Sequence, residues 1–203
     1  MSLHIYPPLN SYIISARLNS KLANFYKMWY DKHNWNTLRG RIMDKKQVHI
    51  ICGPGRGKTA AALGQAIQEL NNGKSIIMIQ FMKGTLKLAD DDFLKRLEPE
   101  MNIFRFEKLA VPFDQLSEQE KSEELINIKN GLNFANKVLT TGECDVLILD
   151  EILGLLDHHI IGEDDIKNMI HNGEDGMELI LTGQKLPEGL KGSVNEITWI
   201  EKV

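Results

Sequence analysis

The run Val48-His49-Ile50-Ile51-Cys52-Gly53-Pro54-Gly55-Arg56-Gly57-Lys58-Thr59-Ala60 decides the fold. Residues 48–52 are a short apolar segment ending in a Gly-rich turn, which predicts a buried strand. Behind the turn, Leu63, Ala66, Ile67 and Leu70 recur at helical spacing. They predict a helix over residues 58–72, with Gly73 as its stop. A strand, a glycine loop and a helix in that order make an anion cradle. Successive backbone N–H groups and the positive end of the helix dipole converge on one point, and a phosphate has the charge and the acceptor oxygens to use them. Gly53, Gly55 and Gly57 permit close backbone approach because they lack Cβ, and Pro54, Arg56 and Ala60 complete the cradle. Lys58 is placed to set a point charge against the outer phosphates, and the Thr59 hydroxyl to ligate Mg²⁺. The common form of this loop is G-x-x-x-x-G-K-[ST]. Its first glycine would fall on Cys52, so the loop here is one residue shorter.

Further strands are predicted over residues 75–81, 103–106, 145–150, 178–182 and 196–200. Ser117-x-x-Glu120 reads as a capping box that opens a long helix reaching Leu139, with Leu125, Ile128, Leu132, Ala135 and Leu139 as its buried stripe. Strands alternating with helices imply right-handed crossovers. The expected fold is therefore α/β, a P-loop NTPase-like (RecA-like), mostly parallel sheet with helices on both faces. The composition changes near Met43. Residues 1–46, rich in aromatic and basic side chains such as Trp29, Tyr30, Trp35 and Arg39, are expected to form an N-terminal extension or helical arm. Residues 47–203 are expected to form the ATP-binding domain.

A second chemical signal is Val146-Leu147-Ile148-Leu149-Asp150-Glu151. An apolar strand followed by two carboxylates puts charge at the C-terminal edge of a parallel sheet, where open α/β sheets hold their ligands. Mg²⁺ binds through few carboxylates together with waters and phosphate oxygens. Asp150 and Glu151 are thus candidate metal holders, directly or through water, beside Thr59.

Other features read more plainly. The net charge is −4 with both signs interspersed, so a nucleic-acid partner is not expected. Cys52 and Cys144 lie far apart, which argues against a zinc site or a disulfide framework, and Cys52 reads as a buried filler. No apolar run reaches the length of a membrane span and no signal pattern is seen, so a cytoplasmic protein with no membrane partner is expected. Asp90-Asp91-Asp92 reads as a solvated stretch, and His158-His159 as surface residues rather than a ligand pair.

Several segments, in order, resemble the P-loop-type ATP:corrinoid adenosyltransferases. Residues 53–64 resemble that family's G-N-G-K-G-K-T-T-A-A-x-G run, which carries the same shortened loop. Ile79-Gln80-Phe81-Met82-Lys83-Gly84 resembles its Q-F-I-K-G segment, Leu149-Asp150-Glu151-Ile152 its L-D-E-[LI], and Ile180-Leu181-Thr182-Gly183 its I-L-T-G. The resemblance implies an enzyme that transfers the 5′-deoxyadenosyl group of ATP to the Co(I) centre of a reduced corrinoid, releasing tripolyphosphate. It implies ATP and Mg²⁺, a corrinoid (cobalamin or a precursor) as substrate, a flavoprotein reductase supplying electrons, and a homodimer. It also assigns Lys58 and Glu151 to catalysis, Thr59 and Glu151 to the metal, Lys83 to the mouth of the site, and Phe113 to a corrinoid patch.

The chain departs from the family at named places. Pro54 replaces an Asn, Ala60 a Thr and Gln184 an Arg, Val111-Pro112-Phe113 keeps one ring of an aromatic triplet, and no basic tail precedes Val203. Two other readings therefore stand beside the transferase. One is a small-molecule kinase or ATPase of RecA-like build, and the other a non-catalytic or diverged P-loop nucleotide-binding paralogue.

Overall fold

Six strands lie in one parallel sheet in the order β3-β2-β4-β5-β1-β6. They are β1 (Gln47–Cys52), β2 (Ile76–Gln80), β3 (Met101–Arg105), β4 (Val146–Asp150), β5 (Glu178–Gly183) and β6 (Glu196–Trp199). Among the described residues the α-helices are α1 (Lys58–Asn71), α2 (Glu118–Thr141), the short α3 (Gly154–Asp157) and α4 (Glu163–Asn172). The computed structural model describes residues 45–82, 94–107 and 111–202. Residues 1–44 of the expected N-terminal arm, Lys83 and the Asp90–Asp92 triplet lie outside the described residues.

The four inner strands, β1, β2, β4 and β5, are apolar on both sides, as strands covered on two faces must be. One face of the sheet carries Ile51, Ile76, Met78, Val146, Ile148 and Ile180, packed with Ala62 and Ala66 of α1. The other carries Val48, Ile50, Ile77, Ile79, Leu147 and Leu179, packed with Ile128 and Ala135 of α2 and Ile166 and Met169 of α4. Helices thus cover both faces. One strand, β5, separates β1, which ends in the glycine loop, from β4, which ends in the acid pair. This is the α/β, RecA-like build expected from the pattern.

Two predicted stripes are displaced. Ile67 in α1 is 51% exposed and Leu125 in α2 is 40% exposed. In α1 the contact runs through the small residues Ala62 and Ala66, which let the helix lie close to the sheet and leave Ile67 on its flank. In α2 the buried set is Glu124, Ile128, Gly131, Ala135, Val138 and Leu139. A Cβ at Gly131 would press on the rings of Phe81 and Phe106, so this helix also approaches the sheet across its smallest residue. The capping box is present as predicted. Glu120 donates its N–H to Ser117 Oγ and its carboxylate accepts from the Ser117 N–H at 2.8 Å.

Candidate functional site

The strand register decides what meets at the C-terminal edge of the sheet. Gln80 pairs with Arg105 on one side and with Asp150 on the other. Leu149 pairs with Leu181, so Asp150 and Thr182 follow as neighbours one residue on. Side chains alternate along strands, and these four residues fall on the face that α1 covers, one step beyond Ile103, Met78, Ile148 and Ile180. The result is a polar row capping an apolar face.

That row is closed by hydrogen bonds. The Asp150 carboxylate, fully buried, accepts from Thr182 Oγ1 at 2.6 Å, from Gln80 Nε2 at 2.9 Å and from Thr59 Oγ1 at 3.0 Å. Gln80 Oε1 accepts from Arg105 Nε at 3.0 Å. A buried carboxylate without such donors would be costly, and they are supplied by two neighbouring strands, β2 and β5, and by α1. The Thr182 hydroxyl also accepts from the Glu151 N–H at 2.8 Å. Glu151 has φ 62°, a left-handed backbone that a non-glycine residue holds only when its surroundings fix it. The Thr182 contact is one such restraint, and it turns the chain sharply after Asp150.

The glycine loop lies against the end of β6. The Gly53 N–H donates to Gln184 O at 3.0 Å, and the Gly55 N–H to Ile200 O at 2.9 Å. A Cβ at Gly53 would run into the backbone of Ile200, and one at Gly55 into the carbonyl of Glu201. The close approach these two glycines allow is therefore made by the segment that follows β6. Gly57 has another reason. It is the helix N-cap at φ 103°, and it opens α1 so that the first intrahelical bond runs from Ala61 N–H to Gly57 O. An α-helix leaves its first N–H groups without partners inside the helix, and they point along its axis. The N–H groups of residues 58–60 are the ones so aimed. Lys58 is folded back across the loop, with Nζ donating to Gly53 O at 2.8 Å and to Gly55 O at 2.7 Å. Pro54, Arg56 and Ala60 are exposed along the loop.

Thr59 of the loop and Asp150 of the acid pair, read separately in the sequence, are thus in direct contact. Phe113 sits apart, on a short 3-10 turn over Phe113–Gln115. Its ring meets His158 edge-on with centroids 5.3 Å apart, and His158 Nδ1 lies 3.1 Å from Asp114 Oδ1. Phe113 also lines a recess with Met82, Glu107, Val111, Pro112 and Leu116. His158 is half-buried and engaged there, while His159 is exposed. Cys52 is fully buried and its thiol pKa is raised by that burial, with Lys58 pulling the other way, as befits a filler.

A family model described as ATP:corrinoid adenosyltransferase BtuR/CobO/CobP matches residues 44–203. The chain belongs to this family. Among relatives of the adenosyltransferase-family chain, the corrinoid adenosyltransferase of Escherichia coli K12 is 23% identical over 145 residues, covering 71% of each chain. Uncharacterized protein all2391 of Nostoc sp. is 26% identical over 158 residues, which span 71% of this chain and 40% of that longer protein. Among solved structures, a KaiC-like protein from Pyrococcus horikoshii is similar with a TM-score of 0.38 and 15% identity, over 70% of this chain and 63% of its own.

Within this family member, three residues of the row were not singled out by sequence. Gln80 and Thr182 stood only inside matched segments, and Arg105 carried no motif. The signal that finds Gln80 and Thr182 is a polar residue closing an apolar run near the C-terminal end of a strand, as in Ile76-Ile77-Met78-Ile79-Gln80 and Leu179-Ile180-Leu181-Thr182.

Proposed function

We propose that this chain transfers the 5′-deoxyadenosyl group of ATP to the Co(I) centre of a reduced corrinoid and releases tripolyphosphate. The observation that carries the reading is the contact between Thr59 and Asp150, which joins the phosphate-type loop to the acid pair inside a family match covering residues 44–203. In this reading Co(I) attacks C5′ of the ribose, a Co–C bond forms, and the C5′–O bond breaks with its electron pair leaving on the tripolyphosphate. Such a displacement asks the protein for placement and charge stabilisation rather than for a side-chain acid or base.

The cradle suits that task. The backbone of residues 53–60 and the start of α1 receive the triphosphate, and Lys58 leaves its two carbonyl partners to meet the outer phosphates. The Thr59 hydroxyl and the carboxylates of Asp150 and Glu151 are hard oxygen donors at one sheet edge, a set that fits Mg²⁺. Mg²⁺ held there would offset the charge of the leaving triphosphate. Asp150 accepts the Thr59 proton and so turns the hydroxyl oxygen outward, the usual service of a partner behind a metal ligand. Lys83 is assigned to the mouth of this site and Phe113 to the corrinoid patch. A flavoprotein reductase as electron source, a homodimer and a cytoplasmic setting belong to the same proposal.

Product analysis tests it. Under anaerobic conditions with Mg²⁺ and a chemically reduced corrinoid, phosphorus-31 spectra should show tripolyphosphate accumulating in step with ATP loss. ADP or orthophosphate instead would point to a kinase or ATPase.

A further inference from the structure

Arg105, Gln80 and Asp150 form a relay from the surface to the centre of the row. Arg105 is exposed, Gln80 is 1% exposed and Asp150 is fully buried. A guanidinium only donates, so the Gln80 atom it meets at 3.0 Å is the carbonyl Oε1. That fixes the amide one way round and leaves Nε2 to donate to Asp150 Oδ2 at 2.9 Å. Thr182 holds the other oxygen, Oδ1, at 2.6 Å. With both oxygens anchored, the carboxylate plane cannot rotate, and the Thr59 hydroxyl that spans Oδ1 and Oδ2 at 3.0 and 3.1 Å is fixed with it. Packing alone has no use for an amide here. The preceding residues Ile76-Ile77-Met78-Ile79 are apolar and buried, and a leucine would fill the same volume.

We infer that Gln80 is a positioning residue for the nucleotide's metal, with Arg105 setting its amide and Asp150 passing the constraint to Thr59. This rests on the nucleotide reading above and deepens it. Groups behind a metal ligand typically change metal affinity about 10–100-fold when removed. The loss should therefore fall on the metal-dependent part of nucleotide binding and spare the backbone cradle.

The test titrates the full chain with ATP by calorimetry, once in Mg²⁺ and once in excess EDTA, with thermal unfolding alongside. Gln80→Leu should weaken ATP binding about tenfold in Mg²⁺ and by less than about twofold in EDTA. Gln80→Glu keeps an acceptor for Arg105 but faces Asp150 with an acceptor, and should lose at least as much. Arg105→Met alters an exposed position and keeps the core intact, and should show a smaller loss of the same kind, about threefold. Losses equal in Mg²⁺ and EDTA across the variants, or no loss at all, would overturn the inference while leaving the nucleotide reading in place. A wild-type chain that binds no ATP in either condition would overturn both.

Discussion

Thr59 Oγ1 lies 3.0 Å from Asp150 Oδ1, so the first turn of α1 is tied to the last residue of β4 across a separation of 91 residues. The hydroxyl cannot be placed by its own helix. It takes its orientation from a buried carboxylate that two further strands hold. The loop after β1 and the acids after β4 therefore act as one unit.

Lys58→Ala removes the cation that bridges the Gly53 and Gly55 carbonyls. Hydrogen bonds to a charged group contribute about 1.5–3 kcal/mol, which corresponds to a roughly 10–100-fold weaker affinity for ATP. Calorimetric titration checks this. Unchanged affinity would remove Lys58 from the phosphate site.

Thr182→Val keeps the shape of a buried side chain but deletes the donor to Asp150 and the acceptor for the Glu151 N–H. Leaving buried polar groups without these partners should cost about 1–3 kcal/mol of stability. Urea unfolding measures it, and Thr182→Ser, which keeps the hydroxyl, should recover most of the loss.

Phe113→Ala removes a ring that packs edge-on against His158, beside the recess also lined by Met82 and Val111. The expected outcome is a raised KM for the corrinoid with ATP affinity unchanged. An unaffected KM would take Phe113 out of the corrinoid site.

The capping box of α2 makes stability depend on pH. Hydrogen bonds from Ser117 hold the Glu120 carboxyl below its ordinary pKa. A depressed folded-state pKa adds stability above the unfolded value, about 4.3 for glutamate, and that stability is lost as pH falls through the lower folded value. Ser117→Ala should thus lower the urea midpoint clearly at pH 7, with the gap to wild type narrowing in acid below about pH 4.

The strands and the two long helices were legible because their signals are local: continuous apolar runs, a Gly-rich turn, and the Ser117/Glu120 pair. α4 was not read as an element. Its ten residues carry three acids in the first turn and only Ile166, Met169 and Ile170 as a buried face. Ile67 and Leu125 were misplaced because hydrophobicity alone ranks them above Ala62 and Gly131, whereas close helix-to-sheet packing favours the smaller residues. Of the candidate site, Lys58, Thr59, Asp150 and Glu151 were singled out in the sequence. What joins them was not. The roles of Gln80, Thr182 and Arg105 depend on strand order and register, which place β2 and β5 beside the acid pair, and β3 beside β2, in space but not along the chain. The glycines of the loop show the same limit. Their sequence spacing points to a phosphate, while the neighbour that excludes a Cβ at Gly53 and Gly55 is the backbone at Ile200 and Glu201.

Adenosyl transfer is tested by an anaerobic reaction of the full chain with ATP, Mg²⁺ and chemically reduced cob(I)alamin, followed by visible spectroscopy. Loss of the Co(I) spectrum and growth of a light-sensitive alkylcobalamin are expected, abolished or strongly slowed in Lys58→Ala. A Co(I) spectrum that persists while ATP is demonstrably bound would contradict adenosyl transfer and leave a nucleotide-binding member of the family without that chemistry.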